Sequence, residues 1–394
     1  MREAGQFEAR KALEYAASMA RPRLVGTAEH DKVADELVAR LAQWGYRVER
    51  EPFEFSTALN ALLALVLLVN SVCLMAMVVL RQTLPYAPQL GALIIVAGFA
   101  LAGVMGRSIS IDAVAPPKAV WRERLAYRLG KRYAASNLVA RLPQDNSPRH
   151  TLYLIAHYDS KSQRWPLVLR IALYTLLIPG TLLAISAALL NQASALSDGL
   201  AFGAAVASFM LLMLGTGNTS PGAIDNASGV GTVLQLAEIL AARSDWRERL
   251  RVIILLPSAE EVGLMGTTAY VKRHAARLQQ ENALVLNFDG VGIEGELQWV
   301  GATSSELTQL IQSAAREENI PIRRFRLIGA LFDHIPFAQR GLDAVSLIAV
   351  GRASRSIHTS RDAIDQLHVR GFEQAGRVAL HVISQLVDRS TGNR

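Results

Sequence analysis

Between Ala58 and Leu80 the chain runs for 23 residues without one charged side chain. As a helix this run reaches about 34 Å, enough to cross a bilayer core of roughly 30 Å. A core helix of a soluble protein rarely extends so far without a charge, because one face has to meet water. No other feature narrows the possible folds as much. Three further apolar stretches accompany it: 90–105, 167–190, and one that starts at 195 or 200 and ends at 214. The second reaches a full span only if Tyr86 to Pro88 join it. In the third, Arg170 lies near one end, where it can snorkel, and Pro179-Gly180 predicts a kink. Composition agrees: 51% of residues are hydrophobic and only 19% charged, with mean hydropathy +0.22.

The four stretches come in two pairs, each joined by a short connector, RQTLPYAPQ (81–89) or NQASALSDG (191–199). A hairpin that crosses twice returns the chain to its starting side. Two transmembrane hairpins, 57–105 and 165–216, can therefore interrupt a single domain built from 1–56, 106–164 and 217–394.

That domain carries a series of polar groups at the ends of buried-strand patterns. Leu152 to Ala156 read as a strand, and His157 follows at its carboxyl end, where functional groups collect in α/β sheets. Asp159, two residues on, is placed to accept from the far imidazole nitrogen and fix its tautomer. Arg251 to Leu256 form another strand pattern, which ends in Pro257 and delivers Glu260 and Glu261. Two adjacent carboxylates after a buried strand raise one another's pKa. The arrangement makes sense if one binds a dication and the other takes a proton from water. The bland reading is a solvated helix start, which also favours Glu. The strand LVLNFDGVG (284–292) supplies Asp289, and GAIDNASGVG (222–231) puts Asp225 ahead of an amphipathic helix expected over 230–240. His358 precedes a further predicted helix, capped by Ser360 or Asp362. Five such sites in a row argue for a metal centre. Three carboxylates and two imidazoles suit Zn²⁺, and the lack of thiolates argues against a zinc finger.

These segments resemble the co-catalytic dizinc peptidases of family M28. The resemblance is carried by His157-Tyr158-Asp159, Asp225-Asn226-Ala227-Ser228-Gly229, Glu260-Glu261, Asn287-Phe288-Asp289, Asp333-His334-Ile335-Pro336-Phe337 and His358-Thr359. The opening helix and strand, 21–53, resemble that family too. The resemblance implies an α/β fold with a mixed central sheet flanked by helices, and two zinc ions per chain. It implies that His157 and Asp289 hold one ion, that Glu261 and His358 hold the other, and that Asp225 bridges them. Glu260 is then the general base, which takes a proton from water between the metals and hands it to the leaving amine. Asp333 and His334 fall to supporting or pocket positions, and the peptide bond after Asp225 is expected to be cis. No side chain is assigned to the oxyanion.

The function expected is a membrane-bound zinc exopeptidase, an aminopeptidase before a carboxypeptidase, acting on peptides near the bilayer. Two other readings use the same residues: glutaminyl-cyclase-like amide chemistry with one zinc, and a non-catalytic membrane scaffold on a peptidase fold. Zinc stoichiometry separates the three.

Orientation is read from charge. Arg47, Arg50, Arg107, Lys118, Arg122, Arg124, Lys161 and Arg164 flank the hairpins on the catalytic side, while the connectors offer only Arg81. The positive-inside rule then places the catalytic domain and both termini in the cytoplasm. The charged, amphipathic start is not a signal peptide, and a lone cysteine, Cys73, excludes internal disulfides. Residues 118–133 are basic and interleaved with apolar groups, which predicts an interfacial helix. This juxtamembrane excess explains the net charge of +7, and no nucleic-acid motif accompanies it. His30 is expected to be structural; His150, His274, His368 and His381 are expected at the surface.

Overall fold

A computed structural model of the protein describes residues 6–112, 130–144, 150–281, 283–326 and 330–389, with the side chains of 106–112 outside the description. The interfacial helix expected over 118–133 lies almost wholly outside the described residues. The chain forms two compact units, one of Met1–Phe53, Ala134–Ser162 and Gly217–Arg394, the other of Glu54–Tyr133 and Gln163–Thr216.

The helices, in chain order, are α1 (Ala9–Met19), α2 (Ala28–Gln43), α3 (Ala58–Val79), α4 (Ala87–Asp112), α5 (Leu167–Leu189), α6 (Ala195–Leu212), α7 (Gly229–Ala242), α8 (Met265–Gln280), α9 (Glu306–Glu317) and α10 (Val369–Arg389). Short helical turns occur between some of these. The strands are β1 (Arg47–Ser56), β2 (Arg132–Arg141), β3 (Thr151–Ile155), β4 (Arg251–Leu256), β5 (Leu284–Asp289), β6 (Glu296–Val300), β7 (Ile322–Arg324) and β8 (Asp343–Val350). They make one sheet in the order β1-β2-β4-β3-β5-β8-β6-β7. The central four, β4-β3-β5-β8, are parallel, and β2 and β6 pair antiparallel on either side. The fold is thus mixed α/β.

Period-two alternation explains why β3 is central. Leu152 and Leu154 pack into one core with α1, α2, α7, α9 and α10, while Tyr153 and Ile155 pack into a second core with α8. Both faces are covered, so the strand reads as a continuous apolar run. One expectation fails here. The helix predicted as amphipathic over 230–240 is α7, and it is buried along that stretch, Thr232 and Gln235 included, except at the partly exposed Glu238. It is enclosed between sheet and α1, and a Cβ added at Gly231 would stand 2.3 Å from the Ala12 carbonyl oxygen.

In the second unit, α3 to α6 are four helices long and apolar enough to cross a membrane, with mean hydropathies of 2.7, 1.9, 1.9 and 1.7. Pro179 lies inside the α5 helix. The two hairpins form one bundle. Asn70 donates to Thr181 Oγ1 at 3.3 Å and Ser208 Oγ at 3.4 Å, and Ser71 donates to the Ala205 carbonyl at 2.9 Å. An ion pair, Arg81–Asp198 at 2.8 Å, joins the connector of one hairpin to the start of α6 in the other. Arg170, expected to snorkel, is instead buried, and it donates to Gln163. Among the described residues, the exposed large apolar side chains all belong to this unit except Leu331, Val350 and Ile364.

Candidate metal centre

The parallel strands deliver their polar groups to one edge of the sheet. His157 follows β3, Glu260 and Glu261 follow β4, Asp289 ends β5, and His358 comes after β8. Asp225 stands just before α7, and the Asp225–Asn226 peptide bond is cis. These groups converge on Asp225. His157 Nε2 lies 3.1 Å from Asp225 Oδ1 and 3.9 Å from Asp289 Oδ2. His358 Nε2 lies 3.1 Å from Asp225 Oδ2 and 3.0 Å from Glu261 Oε2. Two triads result, His157–Asp225–Asp289 and Asp225–Glu261–His358, and each has its ligand atoms within 4.8 Å of one another. Asp225 is common to both. Glu260 belongs to neither, with Oε2 at 3.8 Å from His157 Nε2.

Do these groups fit dications? His157 Nε2 and Asp225 Oδ1 are both buried and, among the described residues, neither has a well-aligned hydrogen-bond partner, although only 3.1 Å separates them. Two ligands of one tetrahedral zinc stand about 3.3 Å apart, given bonds of roughly 2.0–2.1 Å. Charge points the same way. Burial, and with it the carboxylates of Glu261, Asp333 and Asp289, pushes Glu260 well above the ordinary carboxylate range, although His157 pulls it down. Burial and Asp225 raise Asp289 likewise. Burial also works against charge on His157, yet Glu260, Asp159 and Asp225 hold it well above the ordinary imidazole range. A set of acids that cannot all ionise together, around imidazoles that carry protons in compensation, is what bound cations would relieve.

Several side chains hold this arrangement. Asp159 is fully buried, with Oδ1 at 3.5 Å from His157 Nδ1. It also accepts from the backbone N–H groups of Glu260 at 3.2 Å and Glu261 at 3.3 Å, and so ties β3's ligand to β4's pair. Asn226 links Asp225 to Asp289: its Nδ2 donates to the Phe288 carbonyl at 2.8 Å, and its Oδ1 accepts from Gly229 and Gly290. Contrary to the sequence reading, only a three-residue 3-10 turn, Ile364–Gln366 with Ala363 before it, follows His358 until α10 begins at Val369. Asp362 therefore caps no helix, and its Oδ1 accepts from the Ile224 N–H at 2.6 Å. Burial, then Asp225, pushes the Asp362 carboxyl up to about 7.

Lys161 is a further cation at the site. Its Nζ lies 3.0 Å from Glu261 Oε2 and donates to the Glu261 carbonyl at 2.7 Å, and its N–H donates to Glu261 Oε1 at 3.2 Å. The sequence reading counted Lys161 only in the charge bias, took Asp362 for a possible helix cap, and named Asn226 only as part of a motif. Only an Asn wedged between a ligand and a glycine pair, and an Asp four residues past the last imidazole, signalled them.

Asp333 and His334 part ways. Asp333 is buried, accepts from the Thr267 hydroxyl, and is pushed up to about 6 by burial, with His157 pulling it down. The His334 imidazole meets Ser346 Oγ at 2.7 Å and is pushed down to about 4 by burial. It lines a cavity of about 590 Å³ with Ser305 and Asp343, near the amino end of β8 rather than the carboxyl end that carries the ligands. His30 meets Ser258 Oγ at 2.7 Å and stacks on Tyr158. Two histidines expected at the surface have partners instead: His274 sits 2.8 Å from Glu51, and His381 lies between Glu317 and Glu318, 2.9 Å from each. Acids from distant segments supply these pairs, so no local motif announced them.

Fold and site together define an α/β protein with two groups of potential metal ligands that share one carboxylate. The sequence profile of peptidase family M28 matches residues 137–383, more than half of the chain. The chain belongs to peptidase family M28. Aminopeptidase YwaD of Bacillus subtilis (strain 168) is 27% identical over 181 residues, which cover 43% of this chain and 39% of that protein. The probable glutamate carboxypeptidase LAMP1 of Arabidopsis thaliana is 31% identical over 102 residues, 25% of this chain and 15% of that one. The chain thus spans well under half the length of these relatives. Among solved structures, the zinc aminopeptidase BSAP from Bacillus subtilis superposes with a TM-score of 0.56 at 14% identity, over 96% of this chain and 95% of the other. A glutaminyl cyclase from Bacteroides thetaiotaomicron, bound to N-acetylhistamine, superposes at 0.55 and 16% identity, over 96% and 98%. These two likenesses concern the fold.

Proposed function

We propose that the protein is a membrane-bound exopeptidase that binds two zinc ions and releases the amino-terminal residue of peptides. The observation that carries this reading is the sharing of Asp225 between two ligand triads, with Glu260 beside them and in neither. Zinc bound there would supply Lewis acidity to the scissile carbonyl and lower the pKa of water. His157 and Asp289 would hold one ion, Glu261 and His358 the other, and Asp225 both. Glu260 takes a proton from water and returns it to the leaving amine, a role that its raised proton affinity suits. Asp159 orients His157 and the Glu260–Glu261 backbone. The aminopeptidase and zinc aminopeptidase named above support the choice of metal and of end.

The membrane part of the proposal rests on the concentration of exposed apolar side chains on α3 to α6. The basic flanks support a cytoplasmic catalytic unit. His157 and Gln163 are six residues apart in sequence, and the second segment of the apolar unit begins at Gln163. Covalent proximity of this kind favours peptides held near the bilayer.

The test is metal analysis of purified protein alongside a screen of amino-terminally free and blocked peptides, with Glu260→Gln as control. Two zinc ions per chain and turnover of free peptides only are expected. The E260Q protein should keep its metal and lose about 10²–10⁴-fold in kcat, the range of general-base loss. One zinc with cyclisation of amino-terminal glutamine would replace the proposal with a cyclase. No metal would replace it with a scaffold.

A further inference from the structure

Arg23 lies between α1 and α2, and none of its surface meets solvent. Its guanidinium makes five hydrogen bonds, all to backbone carbonyl oxygens. Nε donates to Tyr158 at 2.7 Å, Nη2 to Gly222 at 2.9 Å, and Nη1 to Pro221 at 2.6 Å, Arg21 at 3.2 Å and Met19 at 3.3 Å. None of the five partners is a carboxylate. A buried cation paired only with carbonyls is costly to fold around, and burial lowers this guanidinium to about 10. The cost has to be set against what the side chain holds.

It holds two segments. Tyr158 follows His157 directly, and Pro221 and Gly222 lead into Asp225. The backbone repeats the link: Arg23 N–H donates to Ser160 Oγ at 3.1 Å, and Ser160 N–H returns a bond to the Arg23 carbonyl at 3.3 Å. Leu24 N–H donates to Asn218 Oδ1 at 2.9 Å. Gly222 has φ +59°, and a Cβ there would meet Ser160 Cβ at 2.5 Å and Arg23 Nη1 at 3.0 Å, so the seat is closed to any side chain. Asn226 ties the Asp225 segment to β5, and Asp362 ties it to the segment after His358. Among these three anchors, Arg23 alone comes from outside the ligand-bearing half of the chain.

We propose that Arg23 is a positioning residue for the metal centre: its planar fork clamps the loop of the shared carboxylate to the loop of His157. The two ligands are thereby held at cation-binding separation before any ion arrives, which reduces the ordering cost of binding. A lysine in its place keeps the charge but, as a point donor on a flexible stem, cannot span Tyr158 on one side and Pro221 and Gly222 on the other. The inference rests on the two-metal reading above.

The test uses the full chain in detergent micelles, as wild type, Arg23→Lys and Arg23→Met, each stripped by a chelator. Three measurements are made: hydrogen exchange of segments 156–162 and 218–226 without metal, zinc affinity by competition with a chromophoric chelator, and steady-state kinetics of the zinc-loaded protein. In both variants these segments should exchange faster, while 306–317 stays as in wild type. Zinc affinity should fall roughly 10–100-fold, the usual effect of losing a group that orients ligands. In R23K, kcat should fall with KM changed less than about twofold, since substrate contacts are untouched. If R23M does not fold, R23K carries the test. Wild-type exchange and affinity in R23K would overturn the proposal, because charge alone would then suffice. Faster exchange spread equally over 306–317 would overturn it too, as loss of general stability. A wild-type chain that takes up no zinc would sink the two-metal reading instead, and the exchange arm, which needs no metal, would still test the clamp.

Discussion

Asp225 has two oxygens, each 3.1 Å from a different imidazole, and its carboxyl is held far below its ordinary range. Burial alone would raise it, and His157 and His358 together outweigh that. A group with so many claims on it depends on neighbours that do not themselves bind anything. Asn226 is fully buried and uses both ends of its amide. Replacing it with Ala removes all three side-chain bonds; the Gly229 N–H keeps the Asn226 backbone carbonyl as acceptor, and each buried group left unpaired costs about 1–3 kcal/mol. Asn226→Asp keeps the acceptor for Gly229 and Gly290 but turns the donor into an oxygen facing the Phe288 carbonyl and adds a buried negative charge beside Asp225 and Asp289. Thermal unfolding should therefore rank wild type above both N226D and N226A, with N226A binding zinc more weakly than wild type. Equal melting of N226A and wild type would show that the stitch between Asp225 and Asp289 does not matter.

At the scale of elements, β1 is fastened to α8 by a charged cluster. Glu51 is buried, with His274 Nε2 at 2.8 Å and Arg273 at 3.3 Å. Burial would raise its pKa, but His274 and Arg273 outweigh it, and the net shift is downward. A carboxylate lowered by folding stabilises the fold above its unfolded pKa, and that contribution is lost as pH falls through the folded value. Glu51→Gln should therefore melt below wild type near neutral pH, by about 1–3 kcal/mol, with the gap closing below about pH 4. A constant gap down to pH 3 would contradict the assignment. Between the hairpins, Asn70 spans α3, α5 and α6. Asn70→Leu should weaken the bundle by about 0.6–2 kcal/mol, seen as earlier loss of helicity in graded denaturing detergent.

For the whole molecule, the two units call for different solvents and different ligands. The catalytic unit gains stability from whatever binds its folded form, by RT ln(1 + [L]/Kd). Chelation should lower its melting temperature by several degrees while α3 to α6 keep their helicity. A single transition that moves as a whole would show the units to be coupled. The protein should stay in the membrane fraction through alkaline carbonate washing. A reporter fused after Arg394 should be active in the cytoplasm; activity only outside would reverse the orientation drawn from the basic flanks.

Much of this was legible in the chain itself. Apolar runs longer than a core helix needs mark α3 to α6, because length and the absence of charge are local properties. The strand patterns over 152–156, 251–256 and 284–289 point to their polar ends for the same reason: alternation and strand ends are written in consecutive residues. Only the tertiary structure decided that the two hairpins share one bundle, that the polar Thr232 and Gln235 of α7 are buried, and that Asp362 serves Ile224 rather than a helix cap. It alone brought Glu51 to His274, Arg23 to Tyr158 and Gly222, and Lys161 to Glu261. Those partners lie 100 or more residues apart, and a side chain's sequence neighbours carry no trace of a carbonyl delivered by another element.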